Sequence, residues 1–296
     1  MQDYRMDTFL EVCRYMNYTK AARALNLTQP AVSQHIHFLE CEYGVKLFVQ
    51  EGKKVELTEA GRLLQNTMLT FRHDEKNLRE KMLQTKTGVE HYSFGATRTV
   101  AEFIIIDYVK QFLGSHPDCK MQMQVGNTAE LLRRLDESEI DFAVVEGDFP
   151  RDKYSYLPFC EEEFIAAAVP DIAMKYKQAD IQALLQEGLL IREQGSGSRV
   201  IFENWLEERG LGIADFAKVI EIGNIGAINE LVKSGLGITF CYRAAITKEE
   251  RRGELVVIPV RGMHISHDIM FIFRKDSAFQ EDYVKIYYEL TGKRTG

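Results

Sequence analysis

Residues 17–44 read NYTKAARALNLTQPAVSQHIHFLECEYG, a stretch that spells two short helices with a sharp turn between them. Thr19 is placed to cap the first, TKAARALN, by accepting a backbone N–H. Ala22 is small, as a close helix crossing requires, and Asn26-Leu27 forms the turn with Leu27 directed inward. Thr28 caps the second helix, which tolerates Pro30 because first-turn N–H groups have no helical partner. Val32, Ile36 and Leu39 share one face and predict inward packing, while Gln29, Pro30, Ser33, Gln34 and His37 lie on the other side. Small and amide-bearing side chains near the start of a second helix suit the major groove. There glutamine pairs bidentately with adenine, and serine reaches either base edge.

The flanking sequence extends this pattern in both directions. Asp7 to Met16 suits an earlier helix, and VKLFVQEGKKVELTEAG (45–61) follows. Within it LFVQ and VELT predict a hairpin turning at Glu51-Gly52-Lys53-Lys54. Lysines at a wing tip, Lys53 and Lys54, suit phosphate contact, which positions a protein on DNA without reading sequence. A helical hairpin by itself is an ordinary structural motif. Cap, small residue, turn, polar face and wing in that order predict a winged helix-turn-helix over residues 1–60.

Residues 58–87 contain no proline and predict one long linker helix ending at Thr87-Gly88. Leu64, Met68, Phe71, Leu78 and Met82 recur at helical spacing, interrupted by Glu75. Such a stripe packs either on its own chain or on a partner helix, and a connector between domains favours the partner.

From residue 88 onward, β-rich runs alternate with helices. HYSFGA (91–96), KMQMQVGN (120–127) and IDFAVVEG (140–147) read as strands separated by helices near 99–113 and 127–137. A second block repeats the pattern in GLLIRE (188–193), KVIEIGN (218–224) and LGITFC (236–241). FCEEEFIAAAVP (159–170) reads as strands that cross between the blocks, and HDIMFIFR (267–274) as the returning strand before a closing helix. This predicts two α/β lobes: lobe 1 of about 91–160 and 267–296, lobe 2 of about 161–266.

Ligands of open α/β sheets bind beyond the carboxyl ends of strands, at helix N-termini. Residues at such ends are Thr97, Arg98 and Thr99; Asn127 and Thr128; Glu146; Ser196 and Ser198; and Asn224. Each hydroxyl or amide, read alone, is a helix cap more readily than a ligand contact. Read together they predict an effector pocket whose donors suit an anion or carboxylate. Arg98 would add charge and bidentate geometry if it faces the cleft, and Glu146 would offset it or bind an amino group.

Composition narrows the function classes. The chain has 296 residues and a net charge of −7, which argues against a protein that coats nucleic acid by charge alone. No run approaches the roughly 20 apolar residues of a membrane helix. No signal peptide is visible at MQDYRMDTFLEV, so a cytoplasmic location without membrane contact is expected. Cys13, Cys41, Cys119, Cys160 and Cys241 are scattered, which favours reduced thiols over a disulfide framework. His264 and His267 lack neighbouring ligands, so no metal site is expected. No nucleophile elbow, Walker A loop or zinc-protease motif is present, so neither an enzyme nor a cofactor is expected. Competing readings are a solute-binding module and a thiol-redox regulator on the same scaffold.

AARALNLTQPAVSQHIHFLE, GVKLF and VELTEAG resemble the N-terminal region of LysR-type transcriptional regulators. VGNTAELLRRL, EIDFAVVEG, IREQGSGSR and AINELVKSGLGI resemble the effector domain of that family, in the branch of cysteine-metabolism and carbon-fixation regulators. The resemblance implies an N-terminal all-α winged helix-turn-helix with a linker helix. It also implies an α/β effector domain (88–296) of two Rossmann-like, periplasmic-binding-protein-like lobes. Its implied partners are an imperfect palindrome of double-stranded DNA, a small co-inducer between the lobes, and RNA polymerase. A homodimer or homotetramer is implied as well. Family members usually carry a basic residue where Phe38 stands and Arg where Gln50 stands. Acidic residues outnumber Lys and Arg by one in residues 1–60, so weak affinity per subunit and gain by multivalency are expected.

Overall fold

The computed structural model describes residues 3–52, 54–177 and 179–293. Three helices open the chain: α1 (Tyr4–Tyr15), α2 (Tyr18–Ala24) and α3 (Gln29–Tyr43). The hairpin β1 (Phe48–Glu51) and β2 (Lys54–Leu57) follows, with Phe48 paired to Leu57. Thr28 Oγ1 accepts from Ala31 N–H at the start of α3, and Gly44, at φ 68°, ends it. The cap of α2 is Asn17, whose Oδ1 accepts from Lys20 N–H, and not Thr19. The helix starts two residues earlier than a Thr19 cap implies, so Thr19 already lies inside its first turn. Leu27 is also corrected: it is 39% exposed. Asn26 takes the left-handed conformation, φ 55°, and the turn directs the next side chain outward. Phe9, Val12, Ala21, Val32, Ile36, Leu39 and Phe48 form the apolar centre of this head.

The wing is fastened to the next helix, α4 (Glu59–Thr87), at its first turn. Thr58 Oγ1 accepts from Gly61 N–H at 2.9 Å and donates to Lys46 O at 2.7 Å. Gly61 is required there, because a Cβ would lie 2.1 Å from the carbonyl oxygen of Leu47. Gly88, at φ 70°, closes the far end.

The remainder alternates strand and helix. In lobe 1, β3 (His91–Thr97) leads through a π-turn (Val100–Ile104) into α5 (Ile105–Ser115). Then come β4 (Lys120–Gly126), α6 (Thr128–Asp136) and β5 (Phe142–Val145). The long strand β6 (Tyr154–Ala168) leads to the short helices α7 (Pro170–Ala173) and α8 (Ile181–Leu184). Next are β7 (Gly188–Ile191), α9 (Gly197–Glu207), β8 (Lys218–Glu221), α10 (Ile225–Lys233) and β9 (Ile238–Tyr242). The chain ends with α11 (Thr247–Arg251), β10 (Val256–Ile258), β11 (Ile265–Arg274) and α12 (Gln280–Thr291).

Pairing runs β4-β3-β5-β11-β6-β9-β7-β8, with β10 also on β6. Each end is a parallel block, β4-β3-β5 or β9-β7-β8. The antiparallel pair β6 and β11 joins them. The segment expected as several crossing strands is one continuous strand, bent where the β6–β11 register shifts at Ile269/Met270. Phe142, Phe271 and Ile286 centre one apolar cluster; Phe202, Phe240 and Leu189 centre another on the far side of the crossover. The carboxyl ends of the two parallel blocks therefore open toward one cleft.

Candidate functional site

On the head, Val32, Ile36 and Leu39 are buried, which turns Gln29, Pro30, Gln34 and His37 to the surface with Ser33 half-buried beside them. Gln29 Nε2 donates to Ser33 Oγ at 2.9 Å, and His37 Nε2 lies 3.6 Å from Cys41 Sγ. Lys54 Nζ pairs with Glu56 at 2.6 Å, and Lys53 lies outside the described residues. Thr28 is engaged as the α3 cap. One cation escaped the reading of the motif. The Arg5 guanidinium, from α1, sits 3.7 Å over the exposed Phe38 ring and is held by Asp3 at 2.8 Å. Charge thus reaches the place left apolar by Phe38, supported by a cation–π contact of roughly 0.5–1 kcal/mol. Nothing in the helical pattern signalled this, because the two residues come from different helices.

At the strand ends, Thr97, Arg98, Asn127, Thr128, Glu146 and Ser196 line one cavity of about 200 Å³. It adjoins a larger cavity of about 650 Å³ that shares Asn127, Thr128 and Glu146 and reaches His267 on β11. Thr99 and Ser198 stand behind, around a void of about 10 Å³, the room of a single water. Asn224 is the exception and is corrected: it lines none of these cavities. Its Oδ1 accepts from Ala227 N–H at 2.8 Å, so it caps α10. The pattern of an amide before a helix is the same for both roles; only the third dimension separates them.

Two residues absent from the sequence-based set complete the cavity. Arg192 is 6% exposed and grips Glu193 with Nε at 2.7 Å and Nη2 at 2.9 Å. Arg98, half exposed, reaches the same carboxylate from the opposite lobe, Nη1 to Oε1 at 2.8 Å. Burial opposes the charge of Glu193, but hydrogen bonds from Arg192 and the nearby Arg98 hold its carboxyl below the ordinary range. One carboxylate therefore bridges the two guanidiniums across the cleft. Their place immediately after a buried strand, in IREQGSGSR, was the available signal.

The helix N-termini that follow these strands differ. Asn127 and Glu130 close α6 with a reciprocal capping box, and Asn224 closes α10. At α9 no side chain caps the first turn; Ser196 Oγ instead faces Ser198 Oγ at 3.2 Å. Open first-turn N–H groups and the helix dipole attract an anion. Thr128 Oγ1 donates to the backbone oxygen of Glu146 at 2.8 Å. The Glu146 side chain is 7% exposed, and burial, opposed by Arg192, Tyr242 and Thr99, pushes its carboxyl up to about 7. Glu146 Oε2, Thr97 Oγ1 and the Tyr242 hydroxyl are buried without a hydrogen-bond partner. A site with spare buried oxygens, an open helix end and two bridged guanidiniums is built to receive a small polar molecule.

Four of the five thiols are sheltered, and Cys41 is exposed on α3. Burial pushes Cys13, Cys160 and Cys241 up to about 12 and Cys119 to about 11, so these sulfurs are held as thiols at neutral pH. Among the described residues no helix is long and apolar enough to cross a membrane.

Comparison with known proteins agrees for both the head and the α/β part. Residues 4–62 match the bacterial regulatory helix-turn-helix protein, lysR family, and residues 88–281 match the LysR substrate binding domain. The RuBisCO operon transcriptional regulator of Allochromatium vinosum is 28% identical, covering 92% of this chain and 89% of that protein. Full-length LysG of Corynebacterium glutamicum, solved with bound effector Arg, superposes with a TM-score of 0.64 at 16% identity, covering 98% of both chains. The CcmR regulatory domain of Synechocystis, in complex with 2-PG, gives 0.59 at 20% identity, covering 70% of this chain and all of that one.

Proposed function

Since the chain belongs to the LysR family of transcriptional regulators, we propose that it reads an imperfect palindrome and answers to a small anion held between its lobes. The observation that carries this reading is the uncapped start of α9 facing the Arg98–Glu193–Arg192 bridge across the cleft. An anionic group binds the open N–H groups and competes with Glu193 for the guanidiniums. That competition alters the link between the lobes, which are joined by the same bridge. Thr97, Thr128, Ser196 and Glu146 orient the ligand, with Thr99 and Ser198 supporting them from behind. The bound organic molecules of LysG and CcmR support a ligand in the corresponding domain of this chain.

In the head, Gln29, Ser33, Gln34 and His37 specify sequence from the exposed side of α3, with Pro30 and Thr28 setting its entry. Lys53, Lys54 and Arg5 contact phosphates. Two heads are joined through α4, whose Phe71, Leu78 and Met82 are exposed. We infer a homodimer or homotetramer in the cytoplasm that acts on RNA polymerase, as the family resemblance implies, and assign it no catalysis.

Thermal-shift measurements with the full chain test the cleft. Among oxalate, sulfate, 2-PG and common amino acids, a small anion is expected to raise Tm, and Arg192→Gln with Ser198→Ala to abolish the shift. A shift unaffected by both substitutions places the ligand elsewhere. For the head, a duplex selected from random sequence is expected to lose discrimination with Gln29→Ala. With Lys54→Ala it is expected to bind uniformly more weakly.

A further inference from the structure

Glu146 is a buried carboxyl in the wall of the cleft. It ends β5 at the boundary of both cavities. A side chain at Gly197, in the first turn of α9, would come within 3.4 Å of Glu146 Oε1. The carboxyl therefore lies against the same open helix end that receives the anion. Oε2 has no partner. The charged groups that share its smaller cavity are Arg192, Glu193 and Arg98, and Arg192 is already engaged twice by Glu193. Further out, the larger cavity carries Asp148 and Arg151 after β5, and His267 and Asp268 on β11. Tyr242 and Thr99 bring only hydroxyls.

A carboxylate and a bound anion at one helix N-terminus repel each other in a poorly solvated wall. The cations that line this wall, Arg192 and Arg98, are shared with Glu193, so an anion that takes them adds its charge to two carboxylates. A neutral carboxyl removes the repulsion and, protonated on Oε1, the oxygen on the side of Gly197, supplies a donor that a carboxylate lacks. We propose that the cleft takes its anion together with one proton, and that Glu146 carries that proton and donates it to the ligand. This rests on the anion reading above and adds to it a coupling between ligand affinity and pH.

The sign follows from linkage. Burial already brings the empty-site carboxyl to about 7, so below that pH the group is ready and affinity is flat. Above it a proton must be acquired on binding, and affinity falls toward tenfold per pH unit. The experiment is calorimetric titration of the full chain with sulfate and with oxalate, both fully ionised between pH 6 and 8. Binding is expected to weaken about tenfold across that range and to take up about one proton at pH 8, counted in two buffers of different ionisation enthalpy. Glu146→Gln is expected to bind at pH 8 as tightly as the unaltered chain does at pH 6, with no pH dependence. His267→Gln is expected to retain the dependence, which keeps the test decisive if Glu146→Gln does not fold.

A pH dependence that persists in Glu146→Gln, or is lost in His267→Gln, assigns the proton elsewhere and overturns the proposal. So does an affinity that is flat or rises with pH, the latter being the signature of a ligand whose ammonium group pairs with an ionised Glu146. If neither anion binds at pH 6, the anion reading of the cleft falls and this proposal falls with it.

Discussion

The two faces of α4 are made of different chemistry. The face turned to its own effector domain is polar and buried: Thr70, His73 and Asn77 all lie there. Asn77 Nδ2 donates to the Tyr283 hydroxyl, which also shares a 2.7 Å hydrogen bond with His73 Nε2. Lys76 pairs with Asp141 at 2.9 Å, and the buried Arg274 donates to Asn66 O and to Thr70 Oγ1. The other face leaves Phe71, Leu78 and Met82 more than half exposed. Only the head end of the apolar stripe, Leu64 and Met68, is packed within the chain. The difference teaches that burial and hydrophobicity are separable along one helix. The inward contacts are directional and specify one seating, whereas the outward side chains have nothing in this chain to remove them from water.

The largest effect on this comparison is expected where the inner side admits no atoms at all. Gly61→Ala places a methyl against the Leu47 carbonyl, so the wing or the helix must shift. A loss of about 3 kcal/mol is expected in urea denaturation of the full chain. An unchanged midpoint would mean that the wing is not seated on α4 as described.

A second experiment titrates the inner face. His73 is fully buried, and desolvation, with Lys76 and Arg274 nearby, lowers it to about 3. The unfolded chain takes this proton near pH 6.5, while the folded chain resists it. Stability from this group is therefore complete above pH 6.5 and is lost as pH falls toward 3. The expected slope reaches about 1.4 kcal/mol per pH unit, and His73→Gln should remove that contribution from the stability profile.

The smallest effect on folding, and the sharpest on assembly, is expected at the outer face. Leu78→Glu should change the stability of a subunit by no more than about 0.5 kcal/mol, because the side chain is already half in water. Sedimentation should nevertheless show smaller particles than the unaltered chain forms. If the assembly is unmoved by Leu78→Glu and by Met82→Glu, α4 is not what joins the subunits.

The parts legible in the sequence are those decided by neighbours along the chain. Thr28 and Pro30 announce α3; Thr58 and Gly88 bound α4; and the buried trio of Val32, Ile36 and Leu39 declares which face reads outward. Hydroxyls after strands located the cleft, though Asn224 proved to be a cap, since a local pattern does not say where the turn points. Arg192 and Glu193 were passed over because their roles depend on Arg98, far away in sequence, closing on the same carboxylate. Arg5 escaped for the same reason, its partner ring being on another helix.

By itself the sequence determined the winged helix-turn-helix, the connecting helix and the two α/β blocks, because caps, turns and periodicity act over a few residues. Only the tertiary structure decided which side of α4 stays in water, which helix end remains open to a ligand, and that Glu146 is sealed in the cleft wall. These depend on solvent exclusion and electrostatic contact between segments far apart in the chain, which no local spacing encodes.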